Sequence, residues 1–440
     1  MSTPHMSLGA FLMGSGHHVA AWRHPGAWNG GGLDFEHFKQ LAKTAERGKF
    51  DAVFFADNLA LMGSPELGQY TTAGDVFDPL VLLSGLATVT QRIGLVSTVS
   101  TSYNEPYLLA RKFASLDHLS QGRSGWNLVT SATDLEALNF GREAHFEHGD
   151  RYQRAEEFID VVTGLWDSFE DDAFLRDKAS GVYFQPGKLH TLGHRGEHYR
   201  VRGPLNIPRS PQGYPVLIQA GSSEPGKVLA ARTAEVIFTA QQTLANAQAF
   251  YADVKGRLAA YGRGPETLKI MPGISPVIGR SQGEADDLFG QLQDALDPRV
   301  GLGLLAGMAG GFDLSGYDLD GPLPELPVSN AMQSRQALFI DLARRENLSI
   351  RQLYLKVAGA RGHHTVIGTA ATVADTLEQW FVEQGGDGFN IMPPVLPRGL
   401  DDFVDGVVPI LQRRGLFRRD YSGSTLRDHL GLQRPTNRYA

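Results

Sequence analysis

Three short stretches place polar groups where a small ligand would be held. Gly221, Ser222 and Ser223 follow an apolar run, Val216 to Gln219, and Pro225 then opens a helix. That order aims free backbone N–H groups and two hydroxyls at one point, which suits a phosphate. Ser is also an ordinary helix cap, so the motif alone leaves both readings open. His148 and Tyr152 stand at the start of another helix in HGDRYQRAEEF. They make a second anion-friendly pair, unless Asp150 only caps the helix and Tyr152 only packs. Asp57 closes FFADNLA as a carboxylate after an apolar run, in either a site role or a turn-capping one.

Other chemistries lack their patterns. The loop GHHVAAWRHP carries His17, His18, Trp22, Arg23 and His24. Paired histidines invite a metal, but no His-Glu-x-x-His helix and no carboxylate at ligand spacing accompany them. His194 and His198 are four apart among Gly, Arg and Pro rather than on a helix. No metal site is expected. There is no G-x-S-x-G elbow, no Walker A loop and no G-x-G-x-x-G after a strand. The chain has no cysteine, which removes disulfides, thiolate metal sites and a cysteine nucleophile.

The elements that position these groups are clearest in residues 99–131, VSTSYNEPYLLARKFASLDHLSQGRSGWNLVTS. Ile93 to Val99 is short and rich in Val and Ile, as a buried parallel strand is. Pro106 sits where a first helical turn accepts proline. Leu109, Phe113, Leu116 and Leu119 recur at helical spacing, and Gly122 is a helix stop. Ser124 to Val129 is the next strand, carrying Trp126 and Asn127 and ending in Thr130, Ser131 and Thr133. The whole is one β/α repeat with polar groups crowded at both strand ends, where α/β barrels assemble their sites. Each Ser or Thr taken singly is as well explained by caps and tight turns.

The same alternation runs through the chain and favours a parallel sheet. Strands are expected at Leu8–Met13, Ala52–Ala56, Ile93–Val99, Ser124–Val129, Val216–Gln219, Val236–Thr239, Ile270–Ile278 and Gly388–Met392. Helices are expected at about Phe35–Arg47, Leu80–Thr90, Tyr152–Trp166, after Pro225, at about Leu244–Tyr261 and at about Val373–Phe381. The Tyr152–Trp166 helix puts Ala155, Phe158, Ile159, Val162 and Leu165 on one face. Residues 170–212 and 295–365 break the rhythm with Gly, Pro and Arg, and read as insertions after the fourth and seventh strand units. Both are candidate covers over the site, the second also a candidate oligomer contact. One domain spans 1–440, with the barrel at about 7–413 and an Arg- and Asp-rich surface tail at 414–440.

At 440 residues, 42% hydrophobic and 20% charged, the chain has material for a large core. A net charge of −7 argues against nucleic acid or an anionic membrane as the main partner. No run approaches a membrane span and no basic-then-apolar leader opens the chain, so a cytoplasmic location is expected.

Phe55-Ala56-Asp57, TSYNEPYLLARKFASLDHLSQGRSGWNLVTS, HGDRYQRAEEFIDVVTGLWDS, GPLNIPRSPQGYPVLIQAGSS and HHTVIGTAATVADTLEQWF together resemble the nitrilotriacetate monooxygenase and dibenzothiophene sulfone monooxygenase branch of the bacterial luciferase-like flavin monooxygenases. The resemblance spans nearly the whole chain and is specific for the branch, not for a substrate. It implies an α/β fold, a (β/α)8 TIM barrel that binds FMN at the C-terminal ends of its strands. Reduced FMN (FMNH2) would come from a separate NAD(P)H:flavin reductase. O2 adds to it, and the C4a-(hydro)peroxide oxygenates a small organic substrate of organosulfur or aminopolycarboxylate type. A homodimer or homotetramer is implied.

Carried over residue by residue, the family's flavin site falls on Asp57, Thr98, Asn127, His148, Tyr152, Ser222 and Ser223. The loop after the first expected strand, with His18, Trp22 and His24, is the expected substrate side, and no residue is assigned a catalytic role. The other readings are a barrel using the deazaflavin F420 for hydride transfer, and a flavin-binding protein without turnover.

Overall fold

The computed structural model describes residues 5–61, 65–72, 74–327 and 333–440. Nine parallel strands carry the fold: β1 (Ser7–Phe11), β2 (Ala52–Phe55), β3 (Gly94–Ser100), β4 (Ser124–Val129), β5 (Val216–Ala220), β6 (Val236–Thr239), β7 (Lys269–Ile278), β8 (His364–Gly368) and β9 (Gly388–Ile391). Eight close a ring in the order β1-β2-β3-β4-β5-β6-β7-β9, with β9 paired back to β1. The ring is a closed (β/α)8 barrel, as expected. The ninth strand, β8, was not foreseen. It pairs with the upper half of β7, His364 against Ile274 through Gly368 against Ile278, because β7 is ten residues long and outruns β9, whose pairing ends at Ile391.

The helical layer forms where the apolar periodicity places it. Helix α1 (Phe35–Arg47) is capped by Asp34, which accepts from the N–H groups of Glu36 and His37, and it buries Phe38, Leu41, Ala42 and Ala45. Helix α2 (Pro79–Leu86) is capped by Asp78. In α3 (Pro106–Leu119) proline occupies the first turn and Leu109, Phe113 and Leu116 are buried, whereas Leu119, expected on that face, is exposed. Gly122 then turns the chain at φ 89°, a conformation that favours glycine. Helix α4 (His148–Trp166) buries all five residues of its expected face. It begins a turn earlier than its apolar pattern, and Glu147, not Asp150, is its N-cap. Helices α5 (Glu224–Thr233) and α6 (Leu244–Arg257) follow β5 and β6.

The insertion at 295–365 is largely helical, contrary to the irregular reading. After α7 (Gln282–Asp294) come α8 (Pro298–Met308), α9 (Gln333–Arg345) and α10 (Ile350–Ala360), with a core of their own built from Val300, Leu305, Phe339, Leu342, Leu353 and Val357. Its glycines misled because some serve packing rather than turning: a Cβ on Gly301 would lie 2.5 Å from the Tyr354 ring. The unit is tied to the loop after β1, where Val19 N–H donates to the Ala358 carbonyl at 3.1 Å. Residues 328–332 of this insertion lie outside the described residues. Helix α11 (Ala370–Val382) completes the layer before β9.

The insertion at 170–212 runs along the outside of α3 and α4. Tyr199 packs edge-on against Phe158, and the Tyr107 hydroxyl donates to the Pro204 carbonyl. It is placed as outer buttress rather than as cover. The C-terminal stretch is not a surface tail. Leu426, Leu430 and Leu432 join Val96, Ile218, Val236 and Met271 in the barrel's interior core, closing its N-terminal end and leaving a cavity of about 30 Å3. Two arginines of this stretch form buried pairs with acids of the barrel, Arg427 with Glu235 and Arg418 with Asp51.

Candidate active site

At the C-terminal mouth the barrel interior ends in an aromatic floor. Phe11 meets Phe54 at 4.9 Å and Phe238 at 5.6 Å between ring centroids, both edge-on. Such pairs are stable without any polar partner, so the floor is an apolar slot. Polar groups stand around it on the strand ends.

Thr98 and Asn127 are brought together. The β3–β4 register sets them opposite each other, and both lie on the interior face, since Val96 two residues earlier belongs to the interior core. Asn127 Nδ2 donates to Thr98 Oγ1 at 2.8 Å, and Asn127 Oδ1 is buried with no partner. A buried acceptor left unpaired costs about 1–3 kcal/mol, and it marks where a ligand's N–H would be received.

The second cluster forms between α4 and α5. Ser223 caps α5, accepting from the N–H of Gly226, and its Oγ lies 3.2 Å from the Tyr152 hydroxyl. Ser222 Oγ lies 3.2 Å from Thr239 Oγ1 at the end of β6, and Gln241 Nε2 donates to that same Thr239 oxygen at 3.0 Å. A Cβ on Gly221 would meet nothing nearer than the Tyr152 hydroxyl at 3.6 Å. Hydroxyls and an open glycine at the head of α5 therefore face one cradle, and Ser223 is a cap and a cradle residue at once; Pro225 has no N–H and that of Gly226 goes to Ser223. His148 packs 5.2 Å from the Tyr152 ring. Burial first, then the charge of Arg151, lowers its pKa.

Asp57 stands apart from both clusters, half-buried on the rim beside Asp78 and Glu136. Its pKa is pushed up to about 6, by burial first, then by Asp78 and more weakly by Glu136, against the N–H of Asn58. The serines and threonines at the ends of β3 and β4 mostly tie turns. Ser100 Oγ bonds Ser131 Oγ, Thr101 Oγ1 donates to the Val129 carbonyl and Ser102 Oγ to the Thr130 carbonyl.

The loop after β1 divides. Trp22 and His24 lie outward, Trp22 Nε1 donating to the Tyr70 carbonyl. His17 and His18 are buried at the mouth. His17 packs edge-on against Phe11 at 4.4 Å, and its Nε2 meets the Phe11 carbonyl at 2.9 Å. Burial, then the charge of Arg361, pushes His17 down to about 3 and His18 to about 4, so both rings are neutral. His194, by contrast, serves the buttress, bonded to Glu157 at 2.8 Å.

Five mouth residues went unassigned in the sequence reading: Thr239, Gln241, Arg335, Arg361 and His363. His363 stacks on Phe238 at 4.9 Å, nearly parallel, and a Cβ on Gly273 would strike its ring. The signal was present in HHTVIG, where two histidines precede a β-branched run. The arginines gave none, because they sit in a stretch that reads as irregular.

Comparison with known proteins agrees with this architecture. Residues 13–388 match the family model of luciferase-like monooxygenases. N-acetyl-S-(2-succino)cysteine monooxygenase of Bacillus subtilis (strain 168) is 54% identical over 437 residues, 99% of this chain and 98% of that relative. Nitrilotriacetate monooxygenase component A of Aminobacter aminovorans is 54% identical over 446 residues, again 99% and 98%. Among solved structures, a riboflavin lyase crystallised with modified FMN and riboflavin superposes with a TM-score of 0.88 at 32% identity, covering 98% of this chain and 97% of that one.

Proposed function

From the premise that the chain belongs to the luciferase-like monooxygenases, in the branch of nitrilotriacetate monooxygenase, we propose that it is the oxygenating component of a two-component system. It takes reduced FMN from a partner NAD(P)H:flavin reductase and inserts one atom of O2 into a small organic substrate of organosulfur or aminopolycarboxylate type. The observation that carries the flavin is the pairing of two half-built sites at one barrel mouth: an open hydroxyl cradle at the start of α5, and an apolar floor beside the unpartnered Asn127 Oδ1.

Ser222, Ser223, Tyr152 and His148 would hold the 5′-phosphate. Thr98, Asn127 and Asp57 would orient the ring system above Phe11, Phe54 and Phe238. Bound and reduced, the flavin supplies the activation of O2. The protein's own part is positional and electrostatic. The phenylalanine floor keeps water from beneath the ring. Asp57, titrating near pH 6, is able to hold a proton at the rim close to neutral pH. His17 and His18 stay neutral, so they offer a hydrogen bond without adding charge.

The name component A of one relative supports a separate partner. No helix among the described residues is long and apolar enough to cross a membrane.

Turnover with FMN, NADH and a flavin reductase, against organosulfur and aminocarboxylate compounds, tests the reading. Product is expected only with both O2 and reduced flavin. A protein that neither binds reduced FMN nor consumes O2 with it overturns it, and hydride transfer with F420 in its place selects the alternative.

A further inference from the structure

The chain leaves β1 with a sulfur at the mouth. Phe11 faces the barrel interior, so Met13, two residues on, lies on the same side and above the floor. Its Sδ accepts from Arg361 Nη1 at 3.6 Å, and the same nitrogen stands 3.4 Å from His17 Nδ1. The His17 ring in turn packs edge-on against Phe11. Thioether and imidazole therefore share one guanidinium nitrogen at the edge of the floor. Exposure separates Met13 from the other sulfurs of this cysteine-free chain. Among the described residues Met6, Met271 and Met392 are buried, whereas Met13 and Met308 are half-buried. Met308 is away from the floor, on α8, packed against the core of the helical insertion.

A thioether is a weak hydrogen-bond acceptor, and its sulfoxide is polar. Reduced flavin and O2 meeting at this mouth yield hydrogen peroxide whenever no substrate takes the oxygen. We propose that Met13 is the oxidation site for that peroxide, and that its sulfoxide draws Arg361 off His17 and sets a polar oxygen over the apolar floor, so that an enzyme running without substrate weakens its own flavin seat. The sulfur lone pair attacks one peroxide oxygen, and the S–O bond forms as the O–O bond breaks. The proton on the transferred oxygen passes to the departing hydroxide, and water leaves. Sulfur gives up two electrons and the peroxide accepts them. The new oxygen, partly negative, arises beside a guanidinium N–H already aimed at the sulfur. The proposal rests on the monooxygenase reading for the source of the peroxide, not for the chemistry at sulfur.

The first test is apoprotein treated with hydrogen peroxide and read by peptide mass spectrometry. Met13 should be oxidised about tenfold faster than Met308, the rate equivalent of one charge-assisted hydrogen bond gained in the transition state. Arg361→Gln, its fold checked by an unchanged urea midpoint, should lose most of that lead. With FMN, NADH, a flavin reductase and O2 but no organic substrate, and catalase present to remove escaped peroxide, Met13 should still be oxidised and Met308 should not. The oxidised protein should bind FMN about fivefold more weakly or worse, as a polar group facing an apolar surface predicts. Methionine sulfoxide reductase should restore the affinity, and Met13→Leu should keep it through the same treatment. Equal oxidation of Met13 and Met308 in the apoprotein overturns the proposal. So does a Met13 sulfoxide that leaves FMN affinity unchanged, or a Met13 that catalase protects. Failure of FMN to bind at all would sink the monooxygenase reading, while the treated apoprotein still decides whether Met13 is the reactive sulfur.

Discussion

At the N-terminal end of the barrel, Arg427 is 2% exposed and forks onto the carboxylate of Glu235, with the Tyr214 and Gln433 carbonyls taking further N–H groups. Nearby Arg123 is saturated without any acid, by the carbonyls of Ser120, Ile93, Ala87 and Thr90 and the Thr90 hydroxyl. At the C-terminal end, Arg361 and Arg335 find a thioether, two imidazoles and one carbonyl. Arg427 and Arg123 are saturated by the scaffold, whereas Arg361 and Arg335 meet no carboxylate among the described residues. Saturated charge at the closed end fixes the closure of the fold. Unpartnered buried atoms occur at both ends, Asn127 Oδ1 and His18 Nε2 at the mouth, Arg418 Nη1 and Asp117 Oδ2 at the closed end.

The largest effect is expected where the charge is satisfied. Arg427→Leu strands Glu235, which also accepts from the Leu217 N–H, and unpairing a buried ion typically costs about 3–5 kcal/mol. Urea unfolding should show that loss, while Arg361→Gln moves the midpoint little. If the two variants are equally destabilised, the contrast between the ends fails.

Next is a gain. The Asp57 carboxyl titrates near 6 in the folded chain against an ordinary 3.8. The folded state therefore binds its proton more tightly than the unfolded one. Asp57 costs nothing below about pH 4, and its cost is complete above about pH 6. That displacement corresponds to about 3 kcal/mol, reduced to roughly 2 for a half-exposed group. Asp57→Asn should raise unfolding stability by that amount at pH 8 and by nothing at pH 3.5. A gain that is the same at both pH values would show that the rim does not hold a displaced pKa.

How legible this contrast was in the sequence follows from the kind of signal each end sends. The barrel, its eight ring strands and the α5 cradle announce themselves locally, through Val- and Ile-rich runs and Gly-Ser-Ser before a helix. Thr98 and Asn127 came through family resemblance, and only the strand register shows that they touch. Three features are long-range. Leu426 fills the barrel from more than 300 residues beyond β3, β8 pairs with an overlong β7, and Arg335 and Arg361 meet across α9 and α10. No local periodicity encodes such meetings, and a Gly-rich helix such as α8 disguises itself as a loop.

The cradle sharpens the comparison on a smaller scale. Tyr152→Phe removes the hydroxyl that faces Ser223 Oγ, and one neutral hydrogen bond is worth about 1 kcal/mol, or about fivefold in affinity. FMN binding followed by fluorescence quenching should weaken by that factor with no loss of fold stability, because the Gly226 N–H in the first turn of α5 remains capped by Ser223. A stability loss with unchanged FMN affinity would turn the cradle into a structural joint.

The smallest effect belongs to the strand-end hydroxyls, which stand at the mouth yet behave like the closed end. Ser102 Oγ donates to the Thr130 carbonyl at 2.7 Å, and its N–H donates to Ser100 Oγ at 3.1 Å, which in turn meets Ser131. With those bonds made, Ser102 has little left to offer a ligand, unlike Asn127, which faces Thr98 four residues earlier in β3. Ser102→Ala should cost about 0.5–1.5 kcal/mol of stability and leave FMN affinity unchanged. The reverse result, an intact fold that binds FMN several-fold more weakly, would mean that satisfaction by internal hydrogen bonds does not separate scaffold from site in this barrel. The same criterion that singles out Asn127 would then lose its force.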